Sequence, residues 1–117
     1  MGKLSTHVLD TMHGKPGKGM RLQLFRLEEQ GRQPLVDTVT NSDGRCDQPL
    51  LQDEQMKPGV YELQFDAGDY FSAQGVDLPQ PRFLDVIVVR FGIADPQQNY
   101  HVPLVVTPWT YSTYRGS

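Results

Sequence analysis

The 117-residue sequence lacks the features that mark several large classes of protein. Its one cysteine, Cys46, excludes an intrachain disulfide and leaves no cysteine-based zinc motif. No stretch approaches the roughly 20 apolar residues that a membrane helix needs, and the first residues lack the apolar core of a secretory signal. We therefore expect a cytoplasmic protein with no membrane partner.

Positive charge is also scarce and is not gathered in any one stretch. The formal net charge is −3 at pH 7, and the isoelectric point is near 5.5. Proteins that bind nucleic acid or anionic membranes usually carry clustered Lys and Arg. The sequence therefore predicts neither of these partners.

The common catalytic motifs are missing as well. There is no Gly-x-Ser-x-Gly elbow, no phosphate-binding glycine loop, no dinucleotide fingerprint and no His-Glu-x-x-His pair. Cys46 is an alternative nucleophile, but no base adjoins it in the sequence, so a buried apolar role is favoured. We expect no metal and no cofactor, and any hydrolysis would use activated water.

What the sequence does contain is a series of short strands separated by turns. The length suits one domain over residues 1–117, and 38% hydrophobic residues are enough for a core. Only one short helix is predicted, so the fold class is all-β, a sandwich. The predicted strands are Leu4–Asp10, Met20–Leu27, Leu35–Thr40, Val60–Phe65, Phe83–Phe91, Tyr100–Thr107 and Thr110–Arg115, and the predicted helix is Asp66–Gln74.

The alternation of side chains along a strand predicts on which face of the first strand His7 lies. In the first strand, the residues Leu4, Thr6 and Val8 share one face, and Ser5, His7 and Leu9 share the other. His101 lies in a later predicted strand, whereas His13 lies in a loop. Taken singly, a strand histidine is more often a tolerated surface residue than a catalyst.

Arg45 and the end of the chain are the other candidates. Arg45 directly follows the turn sequence Asn41–Gly44, where a solvated arginine would be equally ordinary. The segment Tyr111–Ser117 is aromatic and strand-forming up to its third-last residue, whereas chain ends usually fray. We infer that contacts hold the C-terminus in place.

Several of these segments together resemble one family. Leu4–Asp10 followed by Gly14–Pro16 is similar to the opening signature of the transthyretin-related 5-hydroxyisourate hydrolases. Asp43–Arg45 resembles their central turn, and Tyr100–Leu104 with Tyr111–Ser117 resembles their closing signature. The terminal Tyr-Arg-Gly-Ser is the most specific of these, because the hormone-carrying transthyretins lack it.

The resemblance implies a transthyretin-like sandwich of two four-stranded sheets with one short helix. It also implies a homotetramer built as a dimer of dimers, with active sites in the channel between dimers. His7, Arg45, His101 and Ser117 would then be catalytic residues. The residues that line the substrate site in that family correspond here to His7, Arg45, His101, Tyr114, Arg115, Gly116 and Ser117.

The implied reaction opens the six-membered ring of 5-hydroxyisourate to give 2-oxo-4-hydroxy-4-carboxy-5-ureidoimidazoline, a step of urate breakdown. Such a hydrolysis needs a base for water, a stabiliser of the oxyanion and a proton for the departing nitrogen. His7 and His101 can exchange protons near neutral pH, and the Arg45 guanidinium can bind developing negative charge. The residue types do not decide which histidine is the base.

A non-catalytic carrier of small aromatic ligands, of transthyretin type, is the alternative. A carrier would be expected to have an apolar side chain or lysine at the position of His7, and a loose polar tail. The sequence departs from the family pattern at Asn99, where many members have histidine, and at Trp109-Thr110. Neither departure alters the proposed catalytic residues.

Overall fold

The computed structural model describes residues 1–116 and consists of two β-sheets packed face to face with one helix. It therefore confirms the predicted all-β sandwich. A short 3-10 turn spans Asp53–Gln55. The elements in chain order are β1 (Lys3–Asp10), β2 (Lys15–Pro16), β3 (Arg21–Glu28), β4 (Gly31–Val39), β5 (Leu51–Gln52), β6 (Gly59–Asp66), α1 (Ala67–Ala73), β7 (Val86–Ile93), β8 (Tyr100–Val106) and β9 (Tyr111–Ser112).

The sheet that carries both strand histidines is built around a parallel pair. Its order is β2-β1-β8-β9, with the short β5 pairing with the start of β1. The pairing of β1 with β8 runs from Leu4 opposite Tyr100 to Asp10 opposite Val106. Counting β5, this sheet has five strands where four were predicted, and three of them are only two residues long.

The second sheet is antiparallel throughout, in the order β4-β3-β6-β7. It has the predicted four strands. The register of β3 and β4 shifts between Leu24 and Phe25, because Leu35 of β4 is an extra residue that forms a β-bulge. No helix in residues 1–116 has the length and apolar character needed to cross a membrane.

The core lies between the two sheets and follows the predicted alternation. Leu4 and Val8 of β1 are fully buried, whereas Ser5 and His7 lie on the opposite, outward face and are partly exposed. The two-residue side-chain period therefore puts Leu4 and Val8 in the core and Ser5 and His7 outside. The largest fully buried side chains are Tyr61, Phe65, Phe71, Leu4, Met20, Leu22, Leu24, Leu63, Ile87, Ile93, Leu104 and Glu62.

Most strand boundaries lie within two residues of the predicted ones, and three differ by three residues or more. Strand β4 begins at Gly31, because its polar first half still pairs with β3. Strand β7 begins only at Val86. Just before it, the Asp85 backbone carbonyl accepts a hydrogen bond from the Gly68 amide and not from a neighbouring strand, and the Asp85 side chain forms a salt bridge with Arg82. Of the predicted Thr110–Arg115 strand, only Tyr111–Ser112 pairs with β8.

Helix α1 is attached to the end of β1 through a buried carboxylate. Asp10 is almost fully buried and accepts hydrogen bonds from the Tyr70 hydroxyl at 2.7 Å and the His13 backbone N–H at 3.0 Å. The His13 Nδ1 lies 2.7 Å from the same carboxylate. Burial alone would raise the pKa of Asp10, but these hydrogen bonds outweigh burial and lower it. The ionised Asp10 carboxylate therefore helps to hold α1 against the end of β1.

Glu62 is a second buried carboxylate, in the middle of the antiparallel sheet. The Arg32 and Arg90 guanidinium groups approach its oxygens to 2.8 and 2.7 Å, and both arginines are half exposed. The hydrogen bond from Arg32 is the main cause that lowers the pKa of Glu62. Burying one charge under two opposite ones removes the penalty of an unpaired buried ion.

The Tyr70→Phe substitution tests the role of Asp10. At neutral pH we expect it to lower the free energy of unfolding by about 2 kcal/mol, because it removes a hydrogen bond to a charged group. A carboxylate with a lowered pKa stabilises the fold above its ordinary pKa of 3.8, and this contribution disappears as the pH falls through the lowered value. The difference in the free energy of unfolding between Tyr70→Phe and the native protein should therefore be smaller at acidic pH.

Tyr61→Phe is the matched control, since the Tyr61 hydroxyl donates to the uncharged Lys57 carbonyl at 2.7 Å. Tyr61→Phe should lower the free energy of unfolding by about 1 kcal/mol, and this loss should be the same at neutral and acidic pH. Urea unfolding at one protein concentration, at neutral and acidic pH, measures both variants. Equal pH dependence of the two costs would contradict the role given to Asp10.

Candidate active site

The parallel register of β1 and β8 places the two strand histidines on one face. Ser5 lies opposite His101, and His7 lies opposite Pro103. Residues that alternate with the buried positions point outward, so Ser5, His7 and His101 share the outward face of this sheet. Both His7 and His101 are half-buried.

A tight turn brings Arg45 to the same place. The Asn41 side-chain oxygen accepts hydrogen bonds from the backbone N–H groups of Asp43 and Arg45, at 2.9 and 3.2 Å. Gly44 has a φ of 76°, and a Cβ there would collide with the Val8 carbonyl oxygen. The turn can therefore dock on β1, where Arg45 and His7 form an isolated antiparallel bridge.

The same turn orients the His7 ring. His7 Nε2 lies 2.9 Å from the Asp43 backbone carbonyl oxygen. Because a carbonyl oxygen can only accept, the Nε2 atom must carry the proton in this hydrogen bond. The neutral His7 ring therefore has its free lone pair on Nδ1.

His101 is held by the end of the chain. The Gly116 N–H donates to the His101 carbonyl oxygen at 2.8 Å. A Cβ at position 116 would lie only 2.9 Å from Cδ2 of the His101 ring, so only glycine allows this approach. The predicted anchoring of the C-terminus therefore has a physical cause, whereas Ser117, the next residue, lies outside the described residues.

His101 also has a perturbed proton affinity. Burial is the main cause that lowers its pKa below the ordinary 6.5, and the charges of Arg45 and His7 lower it further. The geometry agrees, because Arg45 bridges to His7 and lines the same cavity as Ser5, the hydrogen-bond partner of His101. A neutral imidazole beside a guanidinium is an arrangement that can accept a proton from water near a bound anion.

Tyr114 and Arg115 lie away from this group in the single chain. The Arg115 guanidinium stacks 4.1 Å from the centre of the Tyr100 ring and donates to the Gln98 side chain at 2.9 Å. Tyr114 is largely exposed and borders a cavity of about 200 Å³ beside Phe91. The structure thus groups His7, Arg45, His101 and Gly116, and it does not bring the Tyr114 and Arg115 side chains to them.

Ser5 is a site residue that the sequence interpretation did not single out. Its hydroxyl oxygen lies 2.9 Å from His101 Nδ1, and it borders a cavity of about 180 Å³ together with Arg45 and Cys46. The alternation of β1 put Ser5 on the His7 face, which was a usable signal. The sequence does not show that β1 pairs with β8, which is what brings Ser5 to His101.

The remaining candidates lie outside the group or are unsuited to it. His13 is engaged with Asp10 at the other end of β1. Burial, with the charge of Asp47, raises the pKa of the Cys46 thiol, which disfavours the nucleophilic thiolate. No cluster of three or more potential metal ligands occurs within residues 1–116. Asn99 accepts a hydrogen bond from the Lys3 amide, so this departure from the pattern joins the starts of β1 and β8.

Comparison with known proteins places these features in context. A model of the HIUase/Transthyretin family matches residues 4–116. The 5-hydroxyisourate hydrolase of Pseudomonas aeruginosa is 58% identical over 117 residues, which make up 100% of this chain and 93% of that protein.

The solved structures that are similar include the following two. A crystal structure of (S)-allantoin synthase has a TM-score of 0.94 and 44% identity, covering 99% of this chain; this chain spans 44% of that longer one. Sea bream transthyretin in complex with thyroxine has a TM-score of 0.86 and 25% identity, covering 97% of this chain and 94% of that chain.

The Arg45→Gln substitution tests whether the charge of Arg45 lowers the pKa of His101. Removing the positive charge should raise the pKa of His101, although it should stay below 6.5 because burial, the larger cause, remains. NMR titration of the His101 Cε1–H resonance measures this shift. Arg21→Gln, which removes an arginine paired with Asp37 on the other sheet, is the control and should change nothing. A His101 titration that is identical in both variants would contradict the arrangement.

Proposed function

The chain belongs to the HIUase/Transthyretin family, and we propose that it hydrolyses 5-hydroxyisourate to 2-oxo-4-hydroxy-4-carboxy-5-ureidoimidazoline. The observation that carries this proposal is the grouping of His7, Arg45 and His101 on one outward face. The Pseudomonas aeruginosa relative, a 5-hydroxyisourate hydrolase, is 58% identical along the whole chain. We also propose that residues 1–117 form one domain and act without a metal or cofactor.

The chemistry follows from what the three side chains can do. A neutral imidazole takes a proton from water, and the resulting hydroxide adds to the ring carbonyl carbon. The Arg45 guanidinium stabilises the oxyanion, since it is permanently charged and carries planar donors. The C–N bond then breaks, the departing nitrogen takes a proton from an imidazolium, and the new carboxylic acid releases its remaining proton to solvent to become a carboxylate.

The end of the chain contributes to substrate binding in this proposal. Gly116 already packs against the His101 ring, so Ser117, the next residue, is proposed to orient the substrate or water by hydrogen bonding. A role for Tyr114 and Arg115 requires a second subunit or a rearranged C-terminal segment, because Arg115 is engaged with Tyr100 and Gln98.

We propose that four chains assemble as a dimer of dimers. Phe83 and Trp109 are 69% and 57% exposed, and their ring centres lie 6.1 Å apart. Val86 and Val88 of β7 are exposed next to Phe83 in the chain, and β7 and β9 are the last strands of their sheets. Exposed aromatic residues beside open strand edges support association between copies of the chain. A second dimer would then cover the outward face that carries the histidines.

A carrier of small aromatic ligands remains the second candidate, because sea bream transthyretin in complex with thyroxine has the same fold. Two histidines and an arginine on the outward face favour the hydrolase, since a carrier does not need proton transfer groups. We propose a cytoplasmic location, which suits an unpaired cysteine such as Cys46.

The activity is tested by generating 5-hydroxyisourate with urate oxidase and following its ultraviolet decay. The protein should accelerate the decay, and His101→Asn should lower kcat by about 100-fold or more because the proton acceptor is lost. His13→Asn is the matched control, since His13 is bound to Asp10 outside the site, and it should stay active. Unchanged decay with the native protein, together with tight binding of an aromatic ligand, would favour the carrier.

The assembly is tested by Phe83→Arg, which places a charge at the centre of the exposed aromatic pair. Sedimentation velocity should find smaller species than for the native chain, because burying an unpaired charge opposes association. Val39→Arg is the control, because Val39 is also exposed, at 53%, but lies on β4, at the other edge of the antiparallel sheet. A Phe83→Arg protein that sediments like the native one would contradict this surface as an interface.

A further inference from the structure

The two histidines of the site are held by chemically different partners. His7 Nε2 lies 2.9 Å from the Asp43 carbonyl oxygen, whereas His101 Nδ1 lies 2.9 Å from the Ser5 hydroxyl oxygen. A carbonyl oxygen only accepts hydrogen bonds, but a hydroxyl group both donates and accepts. The His7 tautomer is therefore set by its partner, whereas His101 can keep its hydrogen bond in every protonation state.

The position of each bonded nitrogen decides which atom is left for chemistry. Nδ1 is attached next to Cβ, close to the strand, and Nε2 is at the far end of the ring. Asp43 occupies the far nitrogen of His7, whereas Ser5 occupies the near nitrogen of His101. Ser5 therefore leaves Nε2 of His101, the nitrogen at the far end of the ring, available for chemistry.

Packing on both sides restricts the His101 ring to this orientation. Ser5 lies directly opposite His101 in the parallel register of β1 and β8. A Cβ at position 116 would lie 2.9 to 3.3 Å from Cδ2, Cβ and Cγ of His101, so the backbone of Gly116 lies against this side of the His101 ring. A ring held at its near nitrogen and along the Cγ–Cδ2 edge keeps Nε2 directed away from the strand.

We propose that Ser5 is a positioning residue that accepts a hydrogen bond from His101 Nδ1–H and so presents His101 Nε2 as the proton acceptor. This inference rests on the proposed hydrolase function. Nε2 takes a proton from water, the hydroxide oxygen bonds to the ring carbonyl carbon, and the C–N bond breaks. The proton on Nε2 then passes to the departing nitrogen, so that one water molecule is consumed and His101 is regenerated.

The electrostatics of the site fit this role. Burial, followed by the charges of Arg45 and His7, lowers the pKa of His101 and keeps the ring neutral at neutral pH. A neutral ring needs one nitrogen protonated, and the Ser5 oxygen provides an acceptor for a proton on Nδ1. Without that acceptor, the ring can place its proton on Nε2, where it blocks the base.

The test compares Ser5→Thr with Ser5→Val. Threonine and valine have nearly the same shape and both suit a strand, so the hydroxyl group is the main difference between them. Ser5→Thr should keep kcat within about threefold of the native value, and Ser5→Val should lower it by about tenfold or more with KM nearly unchanged.

The pH profile provides a readout that a purely structural role would not change. An acceptor on Nδ1–H stabilises the imidazolium more than the neutral ring, so its loss lowers the pKa of His101. Activity appears as the pH rises above the pKa of the base. The acid limb of kcat/KM should therefore lie at lower pH in Ser5→Val than in Ser5→Thr.

Long-range proton–nitrogen NMR spectra report the tautomer without any turnover. Above the pKa, the His101 ring should be protonated on Nδ1 in the native protein and in Ser5→Thr, and should shift toward Nε2 protonation in Ser5→Val. The His7 signals should remain unchanged, since Asp43 and not Ser5 contacts that ring.

Equal kcat and equal acid limbs in the two variants would overturn the proposal, and so would a native His101 that is protonated on Nε2. A native protein that leaves the decay of 5-hydroxyisourate unchanged would instead overturn the proposed hydrolase function. In that case the tautomer comparison still decides whether Ser5 controls the His101 ring, so the two failures are distinguishable.

Discussion

The parallel pairing of β1 with β8 is the constraint on which the rest of the site depends. Seven residue pairs join the two strands, and each residue of β1 faces the same side of the sheet as its partner in β8, so that Leu4 and Tyr100 are buried whereas Ser5 and His101 face outward. A shift by one residue would turn Leu4 and Val8 outward and bury His7 among apolar side chains. The apolar core therefore enforces the register, and the register in turn sets Ser5 opposite His101.

The buried carboxylates of the two sheets have neighbours that stabilise their charge, whereas His101 in the site has neighbours that oppose its charge. Asp10 and Glu62 are buried, but several donors or two guanidinium groups surround each of them, and both have lowered pKa values. His101 is only half-buried, yet burial and the positive charge of Arg45 both oppose its protonated form and lower its pKa. The scaffold thus satisfies its charges, whereas the site disfavours a charge on His101. Proton acceptors are expected where such unfavourable placement occurs.

Local sequence patterns were sufficient for the parts of the molecule that depend on near neighbours. The alternation in β1 predicted which face His7 occupies, and the Asn41–Gly44 sequence predicted the turn that delivers Arg45. The Ser5–His101 contact could not be predicted, because it joins positions 96 residues apart and depends on which strands pair. The apolar residues Phe83 and Leu84 predict a strand, but Phe83 is exposed and Leu84 packs against the core from outside any strand, a difference that composition does not reveal.

Two close backbone approaches explain how distant segments meet at the histidines. Gly44 lets the turn contact the Val8 carbonyl, and Gly116 lets the chain end contact the His101 ring. Both approaches leave the outward face half open in one chain. If a second dimer covers this face, it buries His101 further, and burial already is the main cause of its lowered pKa. Assembly would then strengthen the same effect that Arg45 produces, so a neutral His101 and a closed site would form together.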